Sequence, residues 1–251
     1  MIELKNAQEI EQMRTAGRVV AGMLQRLAAM VAPGLKTKRL DAEAARFLEA
    51  HHAAPAFLGY RGFPATVCVS INEEVVHGIP GDRTLRAGDV VSIDAGAVVE
   101  GFYADAAITV GVGDVAADAR RLMETTRRAL AEGIALAKAG RRVSDISHAV
   151  QQVVEQQGFG VVRDFVGHGI GRALHEDPPI PNFGPPDMGP RLDIGMVLAI
   201  EPMVTMGGFD VEVLRDGWTA VTKDRSWAAH FEHTVAITER GAEILTAVNS
   251  P

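Results

Sequence analysis

The sequence predicts an α+β fold in which an antiparallel sheet, built from two duplicated halves, is covered by helices. Three observations carry that reading. Helical and strand-like segments alternate from residue 6 to residue 237, with no linker and no low-complexity stretch. A helix-then-strand pattern in the first half returns in the second. Carboxylates sit at matching places in the strand-like runs of both halves, where an isolated charge is too costly to keep unless it is paired, hydrogen-bonded or metal-bound.

Taken in order, residues 6–31 carry Ile10, Met13, Val20, Leu24 and Leu27 at helical spacing, and Pro33-Gly34 stops them. A second helix is expected over 37–52, with Thr37 or Asp41 as its N-cap. Strand-like runs follow at 66–71, 90–95 and 103–110. Between the last two, VVEG reads as a hairpin. A turn at Val99-Glu100 would place Asp94 and Asp105, eleven residues apart, directly opposite each other and on one side of the pair. A third helix covers 116–139 and ends at Gly140; a fourth covers 144–157 and ends at Gly158. Further strand-like segments lie at 160–166, 196–205, 209–213, 218–223 and 229–237. The Pro- and Gly-rich stretch 177–195 reads as a long surface loop.

The repeat sits inside that order. LKTKRLDAEAARFLEAHHA (35–53) shares its helical pattern with RRVSDISHAVQQVVEQQGF (141–159), about 106 residues on. AGDVVSIDAGA matches IGMVLAIEPMV, with six residues from Gly88 to Asp94 and six from Gly195 to Glu201. HGIP at 77–80 answers to HGIG at 168–171, and Asp105 corresponds to Glu232. One domain over 1–251 is therefore expected, with halves of about 1–115 and 116–251 and a site on their pseudo-twofold axis.

Composition sets milder bounds. The net charge of −7 argues against nonspecific nucleic-acid binding, which needs a basic face. Cys68 is the single cysteine, so no internal disulfide can form. No apolar run approaches a membrane span, and the N-terminal stretch is charged and amphipathic without an apolar core region behind it. The expectation is a cytoplasmic monomer with no membrane and no nucleic-acid partner.

Seven ionisable residues stand in short glycine-rich or strand-like settings: His77, Asp94, Asp105, His168, His175, Glu201 and Glu232. No Lys or Arg lies inside the runs that hold the four carboxylates, so a shared metal centre explains them best. Facing carboxylates repel unless a cation lies between them. Asp94, Asp105, His168, Glu201 and Glu232 would hold two divalent ions and leave positions for water and substrate. One imidazole among hard oxygens points to Mn²⁺, Fe²⁺ or Co²⁺, with Zn²⁺ also fitting.

An ordered set of motifs then carries a resemblance: YRGFPATVCVSINEEVVHGIP, SIDAG, FYADAA, GHGIGRALHEDP, VLAIEPM, DGWTAVTKDRS and HFEHT. The chain resembles the type I methionine aminopeptidases of bacterial form, in peptidase family M24. Their superfamily, which includes prolidase and creatinase, has the pita-bread fold. The likeness spans nearly the whole chain, and it implies metal ligation by the same five residues.

It also implies roles. A metal-bound water attacks the first peptide carbonyl, Glu201 takes the proton and passes it to the leaving amine, His175 stabilises the developing oxyanion, and His77 contacts the amide of the second residue. Tyr60, Phe63, Cys68, Leu174 and Trp218 wall the methionine slot. Leu174 stands where a phenylalanine is expected and Phe63 where a tyrosine is frequent, which bears on pocket shape rather than on the reaction. The implied substrates are the N-termini of nascent polypeptides with a small second residue. Contact with the ribosome would use basic residues such as Lys36, Lys38 and Arg39.

Other readings are weighed against this one. A prolidase or aminopeptidase P relative should carry an additional N-terminal domain, whereas this sequence starts with the catalytic half. A pita-bread binding module that has lost its metals should show substituted ligands, and none of the five is substituted. A type II enzyme should carry a helical insertion before the last ligand, but only 31 residues separate Glu201 from Glu232. Taken singly, the site residues have duller readings: a lone Asp or Glu caps or pairs, His77 and His175 are loop histidines, and Cys68 is a small core residue. His51, His52, His148 and His230 are read as structural or solvated, and His233 as supporting the adjacent Glu232.

Overall fold

The computed structural model describes residues 2–247. The first helix, α1, runs Ala7–Met30. It starts there because the Asn6 side chain accepts the N–H groups of Gln8 and Glu9, while the Glu9 carboxylate accepts the N–H of Asn6. The second, α2, runs Lys38–Ala50. Thr37 takes the N-cap position, as one of the two residues expected there, but neither its side chain nor that of Asp41 makes a capping hydrogen bond. Thr37 is itself helical and exchanges hydrogen bonds with the Gly81 backbone, at 2.8 and 3.1 Å. Asp41 accepts the N–H groups of Thr66 and Val67. Both side chains thus tie α2 to its neighbours. The second helix pair is α3 (Ala117–Leu136) and α4 (Val143–Gln156).

In chain order the strands are β1 (Ala54–Pro55), β2 (Val67–Ile71), β3 (Glu74–Val76), β4 (Val90–Val99), β5 (Phe102–Gly111), β6 (Gly160–Val161), β7 (Gly167–Gly169) and β8 (Glu176–Ile180). They continue with β9 (Val197–Ile200), β10 (Met203–Thr205), β11 (Val211–Val213), β12 (Ala220–Thr222), β13 (Ala228–His230), β14 (Glu232–Thr238) and β15 (Gly241–Ile244). A nine-stranded antiparallel sheet has the path β1-β4-β5-β14-β9-β7-β8, with β2 added on β4 and β15 on β14. Two three-stranded sheets, β13-β10-β6 and β11-β12-β3, complete the strands. The duplication is visible in the path. Strands β4 and β5 of the first half meet β14 and β9 of the second, with the seam between β5 and β14.

Alternation along each strand sorts the side chains. Val91, Ile93, Ala95, Ala104 and Ala106 pack under α1 and α2 with Met23, Leu27, Leu40 and Leu48. Leu198, Ile200, Val235 and Ile237 pack under α3 and α4 with Leu130, Ile134 and Ile146. Each helix pair therefore covers its own half of one face. The residues between those positions, Asp94, Asp105 and Glu232 among them, look the other way.

Five expectations change. The β4–β5 hairpin turns at Glu100 and Gly101, both at positive φ (50° and 80°), instead of at Val99-Glu100. The segment 160–166 pairs only over β6. The Pro-rich loop 177–195 contains most of β8, an edge strand, where missing N–H groups cost little. The runs 196–205 and 229–237 are each broken in two, at Glu201-Pro202 and at Phe231. At both breaks the chain passes between the large sheet and a small one.

Candidate metal centre

All twelve residues singled out from the sequence line one cavity of about 160 Å³: Tyr60, Phe63, Cys68, His77, Asp94, Asp105, His168, Leu174, His175, Glu201, Trp218 and Glu232. Its floor comes from the large sheet. Asp94 on β4, Asp105 on β5 and Glu232 on β14 stand on adjacent strands, and Glu201 follows β9 directly. His168 lies on β7 opposite Ala199. Asp105 and Glu232 flank the seam, with Asp94 outside one and Glu201 outside the other.

The aspartates do not face each other directly, as the hairpin reading supposed. Asp94 is opposite Ala107 and Asp105 is opposite Gly96, because the turn lies one residue later. They are diagonal neighbours on one face, close enough for one carboxyl to hydrogen-bond the other. The tightest group is Asp105, His168 and Glu232, whose ligand atoms lie within 4.8 Å of one another. His168 Nε2 is also 3.6 Å from Glu201 Oε1.

The electrostatics of the cluster call for a cation. Among the described residues no Lys or Arg pairs with any of the four carboxylates, and Oδ1 of both Asp94 and Asp105 is buried without a hydrogen-bond partner. Burial pushes Asp94 up to about 7. Burial first, and then the charges of the other carboxylates, pushes Asp105, Glu201 and Glu232 well above the usual carboxylate range. Burial holds His168 down at about 4, so its imidazole is neutral and free to ligate. Hard oxygens with one imidazole fit divalent ions of the Mn²⁺, Fe²⁺, Co²⁺ and Zn²⁺ group.

Two histidines overlook this floor. His175 stacks on the Tyr60 ring (centroids 5.3 Å apart) and lies tilted against the His168 ring (4.2 Å), and its Nδ1 is 2.9 Å from the Tyr60 hydroxyl. Burial, then the Arg61 charge, lowers its pKa. His77 sits at a positive φ of 60°, edge-on to Phe165 and Trp218, and burial lowers it to about 4. Both are neutral hydrogen-bonding groups at neutral pH. The apolar wall includes Phe63 edge-on to Trp218 at 5.1 Å. Cys68 belongs to that wall as a protonated thiol, since burial raises its pKa well above normal.

Sequence reasoning missed four residues here. Phe57 and Arg61 also line the cavity, and Phe165 packs on His77. His230, read as structural or solvated, is buried with Nε2 unpartnered and 3.6 Å from Glu201 Oε2. Its place two residues before Glu232, in a run that reads as one strand, was a usable signal, although the chain breaks at Phe231 between them. Phe57 carried no signal. His51 is not among the residues lining the cavity and stacks on Phe47. His233 bonds Thr246 Oγ1 through Nδ1, behind Glu232.

Four carboxylates, Asp105 and Glu232 buried and Asp94 and Glu201 partly so, with a neutral imidazole on the floor of an open cavity define a hydrolytic metalloenzyme. The model of metallopeptidase family M24 matches residues 11–239, and the chain belongs to that family. It is 52% identical over 248 residues to methionine aminopeptidase 1 of Bacillus subtilis, covering 99% of this chain and 100% of the relative. It is 46% identical over 253 residues to methionine aminopeptidase 1 of Mycobacterium tuberculosis, covering 98% and 95%. The crystal structure of methionine aminopeptidase from Thermotoga maritima superposes with a TM-score of 0.98 at 48% identity, over 99% of this chain and 100% of that one. Prolidase from Pyrococcus furiosus shares the pita-bread fold, with a TM-score of 0.81 at 23% identity, over 98% of this chain and 66% of that one.

Proposed function

We propose that this protein is a methionyl aminopeptidase, a metal-dependent hydrolase that removes the initiator methionine from polypeptides with a small second residue. One observation carries the reading. A slot walled by Tyr60, Phe63, Cys68, Leu174 and Trp218 opens, within a single cavity, onto Asp94, Asp105, His168, Glu201 and Glu232. An apolar, thioether-sized side chain and its scissile carbonyl can therefore be held together. Curated relatives of matching length carry the methionine aminopeptidase name, whereas prolidase extends well beyond this chain.

The ligand set would be Asp94, Asp105, His168, Glu201 and Glu232, holding two divalent ions. Bound there, the ions supply a water of lowered pKa and polarise the peptide carbonyl. Glu201 would serve as the proton acceptor for a bound water and as the proton donor to the leaving amine. With the Tyr60 hydroxyl donating to Nδ1 of His175, Nε2 carries the ring hydrogen and donates to the developing oxyanion. His77, held by Phe165 and Trp218, hydrogen-bonds the amide of the second residue and fixes the scissile bond. Cobalt, manganese, iron and zinc all suit this donor set.

We further place the reaction in the cytoplasm, on nascent chains, with the protein acting as a monomer. Among the described residues no helix is long and apolar enough to cross a membrane. Of the basic residues offered for ribosome contact, Lys36 and Lys38 both pair with Asp82, at 2.9 and 2.7 Å, which offsets part of their charge. A ribosome pelleting assay with Lys36, Lys38 and Arg39 reversed in charge tests that contact.

The activity test measures free methionine released from Met-Ala-Ser, with Ala-Pro and Met-Leu as controls. Chelator-treated protein is assayed first, then with Mn²⁺, Co²⁺, Fe²⁺ or Zn²⁺ added in turn. Metal-dependent release from Met-Ala-Ser alone is expected. Cleavage of Ala-Pro would move the protein to the proline-specific branch of the family. Silence with every metal, from a folded chain, would favour a binding role.

A further inference from the structure

Lys5 is a buried lysine far in sequence from every residue of the centre, yet it reaches the turn that presents His175. Its side chain is 4% exposed, and its ammonium donates to the Glu176 carboxylate. The other oxygen of that carboxylate accepts the N–H groups of Arg172, at 2.7 Å, and Ala173, at 3.1 Å. Glu176 therefore closes the turn carrying Leu174 and His175. It also opens β8, where it pairs with Gly169, the neighbour of His168.

The fit around Lys5 is close. A Cβ on Gly171 would lie 2.6 Å from Lys5 Nζ and 2.7 Å from Glu176 Oε1, so the ion pair lies flat against the turn. The backbone N–H of Lys5 donates to Gly195 O at 2.7 Å, which fixes where the side chain starts. A second, exposed pair, Arg172 with Glu9 at 3.2 Å, joins the same turn to the start of α1. Burying an ion pair brings little net stability, and a well-packed apolar pair of the same size often does as well. The retained charge therefore asks for a role other than stability.

Building on the aminopeptidase reading, we propose that Lys5 is a positioning residue: it holds the Glu176 carboxylate, which holds the 172–176 turn, so that His175 meets the scissile carbonyl. Without the ammonium the carboxylate has a reason to swing to water, and the two backbone hydrogen bonds that shape the turn loosen. Displacement of a hydrogen-bond donor by about 1 Å costs up to about 100-fold in rate while leaving other contacts in place.

The experiment uses the full, metal-loaded chain and its Lys5→Met, Gly171→Ala, Glu176→Gln and Lys5→Met/Glu176→Gln variants. For each, kcat and KM on Met-Ala-Ser are measured beside bound metal per chain and melting temperature. Lys5→Met should lower kcat by about tenfold or more, with KM within about threefold and metal content unchanged. Gly171→Ala, which keeps both charges but crowds the ammonium and the Glu176 carboxylate together, should do the same, and it carries the test of the ion pair as a unit if Lys5→Met does not fold. The double variant should be no slower than Glu176→Gln alone, because the lysine acts through that carboxylate. A kcat within twofold of the parent, a fall confined to metal content, or a loss that persists in the Glu176→Gln background would each overturn the proposal. An inert parent enzyme would instead sink the aminopeptidase reading, so the two failures are told apart.

Discussion

Asp94 and Asp105 meet on a diagonal of the β4–β5 hairpin, each opposite a small residue, Ala107 and Gly96, and not opposite the other. In both, Oδ1 is buried and lacks a hydrogen-bond partner. The pair is therefore unfavourable to ionise until a cation joins it.

Replacing one charge should separate stability from activity. Asp105→Asn is expected to lower Met-Ala-Ser turnover by at least about 100-fold, the upper end of the cost of losing a partner that merely supports a ligand. In chelator the same variant should melt higher than the parent by roughly 2–4 °C, the shift that about 1 kcal/mol gives in a chain of this size. Thermal melts in chelator check this. A lower melting temperature would count against carboxylate repulsion.

The metal-free protein should also lose stability on the alkaline side. Burial raises Asp94 to about 7 and moves Asp105, Glu201 and Glu232 in the same direction, whereas in an unfolded chain such groups titrate near 4. A raised folded value gives stability that is full below the unfolded pKa and lost as pH climbs through the folded one. Below about pH 6.5 the depressed histidines His77, His168 and His230 act the other way, since they take up protons mainly on unfolding. Above it only the carboxylates remain, so stability should fall from about pH 6.5 to 8. Saturating Mn²⁺ or Co²⁺ should flatten that slope and release protons on binding. Scanning calorimetry across this range, with titrations in two buffers of different ionisation heat, decides it; stability that rises instead would contradict the assignment.

Tyr60→Phe removes the hydroxyl that orients His175 but keeps the stacked ring. A neutral hydrogen bond contributes about 1 kcal/mol, so kcat should fall about 3- to 10-fold with KM nearly unchanged. Steady-state kinetics on Met-Ala-Ser measure both. A change in KM alone would show that Tyr60 only lines the slot.

Leu174→Ala should widen that slot. KM for Met-Ala-Ser is expected to rise about 10-fold or more, the worth of at least one methylene of contact in an apolar pocket, while kcat holds. Leu174→Phe, which fills the slot further, should leave the reaction in place and change inhibitor fit. Loss of kcat in either variant would place Leu174 among the groups that orient His175.

Much of this centre could be read from the chain because its residues are chemically conspicuous. Asp94, Asp105, Glu201 and Glu232 lie in apolar runs that leave a charge no neighbour, and the six-residue offsets from Gly88 and Gly195 exposed the duplication. Register was harder. Glu100 and Gly101 both accept positive φ, and moving the turn by one residue set the aspartates on a diagonal. The breaks at Pro202 and Phe231 were hidden because both flanks read as strand; only the existence of two sheets separates them. Lys5 and Phe57 left no trace, since what they do depends on where distant segments lie, not on a local pattern. Thr37 and Asp41 look like caps by type but found partners across the fold.

The seam between β5 and β14 sets a condition on when this chemistry can exist. Asp94 and Glu232 share one cavity, yet most of the chain lies between them in sequence. A growing or truncated chain that ends before the second half carries Asp94 and Asp105 but nothing across the seam to complete the cluster. Peptide-cleaving capacity therefore arrives only with the whole fold, so an unfinished molecule cannot act on its neighbours or on itself.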